Sequence, residues 1–598
     1  MPYTLRPHLT RKITVLSKDD PSIPQELFSV KSEAPDLDGF PCPLPSKKSD
    51  YTCFACGNNG VVWYGAKTGL TRYDPNAKTD EDKIMYFSAH RHLETNEVDA
   101  LLADGDDVWA LTGDHVSHIE MVMLSARQKA DILLEETNNY VKRRGMVSQR
   151  HMKVPRDLST MYPHAESDND GCFTAAHAVG EMYHYAVLKR ELGKDDPKTQ
   201  EVFKGAVEAC EACLLLMYIH GRPEGFIARS YHALGEPVPD DGYFYKRDGK
   251  EAYCIETSAS KRSGRAGERV PCDYPIPERL RHLLTDYGYT EDGVTYKADT
   301  SSDEVSGHFL QMKIAHDLLG PDDPELDEII KDAAKRTLTH IINSGYEFAE
   351  HSGKPTTWGK WSRRYFEGDP IGYVDAALNT GELLFYLKAT MHITGEKGIW
   401  QETYDKLVAE GYADLTLQHF DRIFQGATRE TCSPEEDLMY GDNMLATETF
   451  WMLCTLEEDP VLLNKYREGF KTWKLSLLRE FMPGYEFPFA LSVPDEEIHL
   501  ERCAQWFDRF EISRYAAHVN MHRHDAPIKE KRTFDEHQAN ETSLKLPPDE
   551  IPITKYDRNP YDVSPGMYSP STCVEGCYVF TFAYWIGIYY GLIDEEDC

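Results

Sequence analysis

Acidic residues stand at the start of three predicted helices, where carboxylates could act in pairs. Asp168 and Asp170 lead into CFTAAHAVGEMY, Asp303 and Glu304 lie in TSSDEVSGH, and Asp442 lies in MYGDNMLATETF. In glycoside hydrolysis, one carboxylic acid protonates the leaving oxygen while a second carboxylate activates water or attacks the anomeric carbon. These residue types therefore fit acid–base chemistry on a sugar.

A histidine follows one of these acidic pairs. His308 lies one turn after Glu304, so an acid and a titratable base would share one helix face. We predict that Asp170 and either Asp303 or Glu304 are the catalytic carboxylates, and that His308 orients or tunes one of them. Helix capping is the alternative, because Asp is a favourable N-cap and Ser301-x-x-Glu304 fits a capping box. A capping box does not require Asp303 or His308.

Aromatic and cationic side chains are candidates for substrate binding. Trp358 and Trp361 lie in GKPTTWGKWS, where an exposed ring would stack against the apolar face of a sugar. Burial in the core is the alternative, since Trp is often largely buried. Arg229 could clamp a carboxylate such as that of a uronic acid, or it could pair with an acidic residue. Asp168 and Asp442 complete this predicted substrate-binding group.

Two cysteine pairs have C-x-x-C spacing. Cys53 and Cys56 form one pair and Cys210 and Cys213 the other, but no second pair or neighbouring His completes a zinc site. Cys210 and Cys213 fall in the apolar helical segment AVEACEACLLLMYIH, where cysteine behaves as a small core residue. We predict that both are free thiols inside a helix.

Three histidines lie close together near the end of the chain. His518, His522 and His524 lack an E-x-x-H arrangement, and a proline follows them. The sequence also contains no G-x-G-x-x-G loop after a strand and no Walker A motif. We therefore expect no metal site and no cofactor.

The elements that position these residues change in character near residue 125. The first 125 residues predict a β-rich segment, in which GNNGVVWYGAKTGLTRYD and DGDDVWALTGDHVSHIE place Trp63 and Trp109 46 residues apart. The first unit resembles the repeats of sensor-type β-propellers. Two such units cannot close a ring, so we expect a propeller-like sheet appendage packed on a larger domain.

Residues 126–598 predict a mainly α-helical domain. Apolar residues recur at i, i+3, i+4 and i+7 in ten strong helices, and weaker helices are predicted near 274–286 and 499–517. Paired helices in this number favour an (α/α)6 barrel, with an open solenoid as the alternative. In such a barrel the starts of the inner helices surround the cleft. Long irregular insertions are predicted at 232–300 and 519–576.

Charge and composition restrict the partners. The chain has 65 basic and 100 acidic residues and a net charge of -35, which repels nucleic acid and anionic membranes. It has no apolar run long enough to span a membrane and no secretory h-region, and its 14 cysteines are scattered. We expect a cytoplasmic protein that binds an oligosaccharide or glycoside. The sequence does not indicate an oligomeric state.

Three segments carry a family resemblance. TSSDEVSGHFLQMKIAHDLL, HSGKPTTWGKWS and FAYWIGIYYGLI resemble a bacterial and fungal family of uncharacterised α/α-barrel proteins that are grouped with glycoside-processing enzymes. The closing segment departs from that pattern, because Ile588 stands where the family has a basic residue after W-x-G. The resemblance draws attention to Asp170, Arg229, Asp303, Glu304, His308, Trp358, Asn379 and Trp585. It adds Asn379 and Trp585 to the predicted substrate-binding residues.

These observations lead to one preferred function and two alternatives. The preferred one is a glycoside hydrolase that acts on an imported oligosaccharide or small glycoside through paired carboxylates. The first alternative is a glycan lyase, with a Tyr or His base and with Arg229 neutralising a uronate. The second is a non-catalytic carbohydrate-binding or sensor protein.

Overall fold

The chain is mostly helical, with small β-sheets concentrated in its N-terminal region. The computed structural model describes residues 2–80, 82–89, 91–147, 149–163, 169–418, 440–476, 482–513, 523–525, 528–532, 538–542, 547–550 and 572–596. No helix within these residues is both long enough and apolar enough to cross a membrane.

Twelve helices of nine or more residues are present in the described part of the chain. Several begin at an Asp N-cap followed by Pro, because Asp accepts from free backbone N–H groups and Pro lacks the N–H that would be unpaired there. In chain order they are α1 Ala126–Glu136, α2 Asp170–Glu191, α3 Pro197–Leu216, α4 Ser302–Leu318, α5 Pro324–Asn343, α6 Pro370–Thr394, α7 Gly398–Ala409, α8 Tyr440–Leu456, α9 Pro460–Ser476, α10 Pro483–Ser492, α11 Leu500–Asp508 and α12 Tyr578–Tyr590.

The even-numbered helices pack against one another in sequence. Helix α2 contacts α4, α4 contacts α6, α6 contacts α8, α8 contacts α10, α10 contacts α12, and α12 returns to α2. Each odd-numbered helix contacts one or two of these even-numbered helices. Helices α2, α4, α6 and α12 are buried over most of their lengths, as expected for helices that are apolar on all sides.

Helices α2 and α12 run in the same direction. Phe173 stacks on Tyr578 near the start of both helices, with ring centroids 5.3 Å apart. Further along, His184 stacks on Trp585, with centroids 3.8 Å apart. The starts of these two neighbouring helices therefore lie at the same end.

Most of the predicted helices are found, with shifted boundaries. All ten strong segments contain a helix, and the weak segment at 499–517 contains α11. The segment at 274–286 forms a short helix, His282–Thr285, after a single 3-10 turn. Helix α10 was not predicted. The remaining short helices are Ser258–Ser263, Arg363–Gly368 and Tyr412–Leu415.

Two four-stranded antiparallel sheets form the N-terminal region, which confirms the predicted β-rich segment. One has the strand order β2-β9-β8-β7 and the other the order β3-β4-β5-β6. The strands are β2 His8–Ser17, β3 Tyr51–Cys56, β4 Val62–Ala66, β5 Gly69–Tyr73, β6 Ile84–Phe87, β7 Ala100–Asp104, β8 Asp107–Thr112 and β9 His115–Leu124.

The two tryptophans of these sheets occupy matching positions. Trp63 on β4 pairs across the sheet with Arg72 on β5, and Trp109 on β8 pairs with His118 on β9. The Arg72 guanidinium lies 5.9 Å from the Trp63 ring, and the His118 ring stacks on Trp109 at 3.8 Å. The sequence repeat that contains the two tryptophans therefore also contains, at matching positions, the residues paired with them.

Buried ion pairs connect the N-terminal sheets to the C-terminal part of the chain. The Arg11 guanidinium on β2 lies 2.6 Å from Glu511 Oε2 and 3.0 Å from Asp549 Oδ2. Arg509 also pairs with Asp549, at 2.9 Å. His92 lies 3.3 Å from the same Glu511 oxygen. All five side chains are buried, so the sheets are anchored by charge as well as by apolar packing.

The segment between α3 and α4 is not irregular as predicted. It contains a five-stranded antiparallel sheet with the order β11-β15-β12-β13-β14. Its strands are β11 Tyr231–His232, β12 Phe244–Asp248, β13 Glu251–Cys254, β14 Arg269–Pro271 and β15 Thr295–Lys297.

Four two-stranded sheets are the remaining sheets among the described residues. One of them is parallel and joins the first strand, β1, to the last, β21, so the two ends of the chain lie side by side. The pairs are β1 Tyr3–Leu5 with β21 Ile593–Glu595, β10 Arg150–His151 with β20 Cys573–Val574, β16 Glu347–Ala349 with β17 Pro355–Lys360, and β18 Ile528–Arg532 with β19 Gln538–Thr542.

Candidate functional site

The starts of α2 and α4 lie against each other. The backbone N–H of Cys172 in the first turn of α2 donates to Glu304 Oε2 of α4 at 3.1 Å. A Cβ on Gly171 would lie 2.2 Å from the same oxygen and 2.6 Å from His308 Cε1. A side chain at position 171 would therefore displace the Glu304 carboxylate or the His308 ring.

Asp170 is the first residue of α2 and its carboxylate is already engaged. The side chain is buried, and its Oδ2 accepts from Arg143 Nη2 at 2.9 Å. The Thr174 hydroxyl donates to the Asp170 carbonyl at 2.5 Å, which closes the first turn. Asp168, the other acidic residue predicted here, lies outside the described residues.

Asp303 is the half-buried carboxylate of the site, and its charge acts on three buried glutamates. The Ser301 hydroxyl donates to Asp303 Oδ1. Burial, followed by the charge of Asp303, raises the pKa of Glu304 well above its usual value. The same two causes raise the pKa of Glu448 to about 8. The third glutamate, Glu382, belongs to α6.

Glu382 forms a buried contact with Trp361. Trp361 Nε1 donates to Glu382 Oε2 at 2.8 Å, and the other carboxylate oxygen has no hydrogen-bond partner among the described residues. Burial raises the pKa of Glu382 to about 8, with the charges of Asp442 and Asp303 acting in the same direction and the Trp361 hydrogen bond opposing them.

Trp361 is not an exposed sugar-stacking ring, which corrects the prediction. Its side chain is fully buried and its ring packs edge-on against Phe348 and Tyr386. Trp358 differs, because it lies on β17 with 46% of its surface exposed. Of the two predicted tryptophans, only Trp358 presents a ring to solvent. Residue spacing could not show which of the two tryptophans is exposed. They are only three positions apart, with Trp358 on a short strand and Trp361 directly after it.

Glu448 lies beside a narrow cavity between α2, α8, α10 and α12. The cavity has a free volume of about 10 Å³, which is about the size of one water molecule. Glu448 Oε2 has no hydrogen-bond partner within the described residues. The other lining residues are Ala176, Met444, Thr447, Gly484, Tyr485, Pro488 and Phe582.

His308 does not direct a ring nitrogen at the carboxylates. Its Nδ1 lies 2.6 Å from the carbonyl oxygen of Glu304, and its Nε2 lies 3.1 Å from that of Cys213. Burial lowers the pKa of His308 to about 4, although both carbonyls favour the charged ring. A neutral ring donates to only one of the two carbonyls. His308 thus joins α4 to α3 and positions Glu304 through its backbone.

Two further predicted residues lie near the acidic group. Arg229 Nη2 donates to Asn169 Oδ1 at 3.3 Å, and the charge of Arg229 lowers the pKa of Glu304. Asp442, in the first turn of α8, is half-buried and acts on Glu382 through its charge. Both therefore belong to the electrostatic environment of the buried glutamates.

Asn379 and Trp585 have structural surroundings. Asn379 Nδ2 donates to the Lys360 carbonyl at 2.8 Å, so its amide fixes β17 to α6. The Trp585 ring is buried between His184 and the Arg127 guanidinium, which lies 5.3 Å from the ring. His184 lies nearly four turns beyond the start of α2, or about 21 Å along the helix axis. Trp585 therefore lies far along α2 from Asp170, and its ring is buried rather than open to a substrate.

The two cysteine pairs have different surroundings. Cys53 is buried and Cys56 is exposed on β3, since an odd spacing places side chains on opposite faces of a strand. Cys210 and Cys213 are free thiols buried in α3, and burial raises the pKa of both well above the usual value. His518 and His522 lie outside the described residues.

Glu382 and Glu448 were missed by the sequence analysis. Both lie inside helices, in NTGELLFYL and ATETFWML, rather than at helix starts. A signal was nevertheless present, because α6 is apolar around its whole circumference and a polar residue in such a helix must face other helices.

Comparisons with known proteins add no identification. Set against models of protein families, curated proteins and solved structures, the chain matches none of them.

Proposed function

We propose that the twelve long helices form an (α/α)6 barrel, with the even-numbered helices inside and the odd-numbered helices outside. The cyclic order of contacts from α2 through α12 and back to α2 supports this arrangement. The shared direction of α2 and α12 supports it as well, because the inner helices of such a barrel are parallel. In this fold Asp303 and Glu304 lie at the mouth.

We further propose that the protein is a glycoside hydrolase. The observation that carries this proposal is the half-buried Asp303, whose charge acts on buried glutamates with pKa values of about 8. An ionised carboxylate beside a protonated one provides the base or nucleophile and the acid of glycoside hydrolysis. Asp303 is the proposed base or nucleophile.

Glu448 is the proposed general acid. An acid must contact the leaving oxygen of the substrate, and the choice of Glu448 rests on the water-sized cavity that it lines, whereas one oxygen of Glu382 is held by Trp361. Glu304 is held by the backbone of α2, so it is proposed to position Asp303 rather than to react. Asp170, paired with Arg143, is proposed to fix the start of α2.

The substrate is proposed to be an oligosaccharide or small glycoside that is processed in the cytoplasm. Trp358 offers an exposed ring for a sugar face. No disulfide is present among the twelve cysteines of the described residues, which suits a reducing compartment.

The test is hydrolysis of a panel of oligosaccharides and aryl glycosides, with product masses measured. Asp303→Asn should lower the rate by about 10²–10⁴, the usual contribution of an acid–base group, while the circular dichroism spectrum is retained. Glu325→Gln is the matched control, because Glu325 is also an acidic residue in the first turn of a helix but lies on α5 and is exposed. Its rate should equal that of the wild type.

Other results would replace the proposal. A product that absorbs in the ultraviolet because of a new C=C bond would identify a lyase. Binding of a glycan without turnover would identify a binding protein. Full activity of Asp303→Asn would remove Asp303 from the mechanism.

A further inference from the structure

Two histidines and an aspartate lie together in the last turns of α4 and α6, at the other end of α4 from Asp303 and Glu304. His316 lies in the last turn of α4 with Asp317 beside it, and His392 lies in the last turn of α6. One potential ligand atom from each of the three lies within 4.8 Å of the other two. The His316 and His392 rings are 5.6 Å apart and nearly perpendicular.

A second carboxylate orients His316. Its Nδ1 lies 2.5 Å from Asp327 Oδ1 on α5, so Nδ1 carries the proton and Nε2 is left with a lone pair. Histidines that bind metal ions usually donate their other N–H to a carboxylate in this way. Lys331 contacts the other oxygen of Asp327 at 2.7 Å and keeps that carboxylate in place.

Asp317 joins the second histidine. Its Oδ1 accepts from His392 Nε2 at 2.7 Å, and its Oδ2 accepts from Lys313 at 2.8 Å. A metal ion can replace the proton between His392 and Asp317, taking one bond from each. Lys313 would then remain on the second oxygen and favour monodentate binding by Asp317.

The surroundings favour a cation. The last turns of two helices direct their negative dipole ends towards this corner. The side chains are partly exposed, with 39% of His392 and 31% of Asp317 accessible, so water can supply the remaining ligands. The net charge of -35 adds a general attraction for cations.

We propose that His316, Asp317 and His392 form a Zn²⁺ site. Two imidazole nitrogens and one carboxylate oxygen are ligands that zinc accepts, and water would complete the tetrahedron. His316 lies more than three turns beyond Glu304, about 18 Å along α4, so this site is separate from the proposed catalytic carboxylates. The sequence analysis did not find this group, because His392 is 75 positions from Asp317.

The test is calorimetric titration of the full, EDTA-treated chain with ZnCl₂, together with metal analysis after gel filtration. His392→Ala should bind one Zn²⁺ fewer than the wild type. Asp327→Asn should retain that ion with about 10–100-fold lower affinity, as expected when a carboxylate behind a metal-binding histidine is removed.

His282→Ala is the matched control. His282 also contacts a carboxylate, that of Glu211, at 2.7 Å, and its side chain is 40% exposed, but no third ligand completes a group there among the described residues. This variant should bind as much Zn²⁺ as the wild type. Melting temperatures of all variants establish whether they are folded. If His392→Ala is not folded, His316→Gln serves as the second ligand variant.

Three outcomes would overturn the proposal. The wild type could bind no Zn²⁺, the ligand variants could keep the full stoichiometry, or His282→Ala could lose as much zinc as His392→Ala. The last result would show that single surface histidines account for the binding.

Discussion

Single carboxyl groups in this protein take different charge states because their surroundings differ. Glu448 in α8 is 6% exposed, whereas Asp303 in α4 is half-buried. Burial favours the neutral form, and a nearby negative charge strengthens that preference. Burial and the charge of Asp303 therefore both raise the pKa of Glu448.

The pH dependence of hydrolysis should report Glu448. Its pKa of about 8 lies above the usual value for glutamate, so the acid is protonated below pH 8 and loses its proton above it. The rate should therefore fall as the pH rises through about 8. Glu448→Gln cannot donate a proton, and it should lower the rate by about 10²–10⁴ and remove this alkaline limb from the residual activity.

Rate profiles of wild type and variant from pH 5 to 10 make the comparison. Glu325→Gln is again the control, because Glu325 is exposed. Glu457→Gln would be less suitable, since it would disturb the buried ion pair between Glu457 and Lys388. An alkaline limb that persists in Glu448→Gln would assign the ionisation to another group, with Glu382 the first candidate.

At the scale of helices, the close approach of α2 and α4 depends on a residue without a side chain. Gly171→Ala would place a methyl group 2.2 Å from Glu304 Oε2, well inside van der Waals contact. Either the helices separate or Glu304 loses its hydrogen bond from Cys172, and both changes destabilise the fold. The melting temperature should fall, and hydrolysis should fall with it because Glu304 positions Asp303.

A second helical glycine provides the control for this prediction. Gly205 lies inside α3, and a Cβ there would meet nothing within 4 Å. Gly205→Ala should leave the melting temperature unchanged or raise it, since alanine favours the helix by about 0.5–1 kcal/mol. Equal effects of the two substitutions would mean that the contact at Gly171 is not tight.

The sequence predicted most of the long helices because their apolar positions follow the helical period. It did not predict α10, PGYEFPFALS, because Pro483 and Pro488 read as breaks. Pro483 is tolerated in the first turn, where its missing N–H has no partner to lose. Pro488 lies inside α10, where proline has a low helical propensity, and the packing of α10 against α8 and α12 outweighs that propensity. Pro488 also lines the cavity beside Glu448.

The candidate site was only partly predictable for a related reason. Asp303 and Glu304 stand at a helix start, where position alone draws attention to them. Glu382 and Glu448 stand in helix interiors, where glutamate is common on solvated faces. Only packing against other helices gives them raised pKa values, and the sequence does not show which face is packed.

For the whole molecule, the attachment of the N-terminal sheets rests on buried charge. Arg11→Ala would leave the buried carboxylate of Glu511 without its closest partner. Removing one member of a buried ion pair typically costs about 3–5 kcal/mol. We expect Arg11→Ala to shift the midpoint of urea unfolding to a lower concentration by a corresponding amount, as followed by tryptophan fluorescence.

The control is an exposed ion pair at the same end of the chain. Arg6 lies 3.4 Å from Glu596, and both side chains are more than half exposed. Exposed pairs contribute about 0–1 kcal/mol, so Arg6→Ala should unfold close to the wild type. A similar loss in both variants would show that the buried network does not hold the sheets.

Because α2 packs against α12, the neighbours of α2 are complete only after α12 has been synthesised. Cys577 lies 3.5 Å from His177, its partner 400 positions earlier. At about 5–20 residues per second, the ribosome delivers α12 roughly 20–80 s after α2 has emerged. Throughout that interval the side of α2 that packs on α12 has no neighbour, and we expect chaperones to bind it.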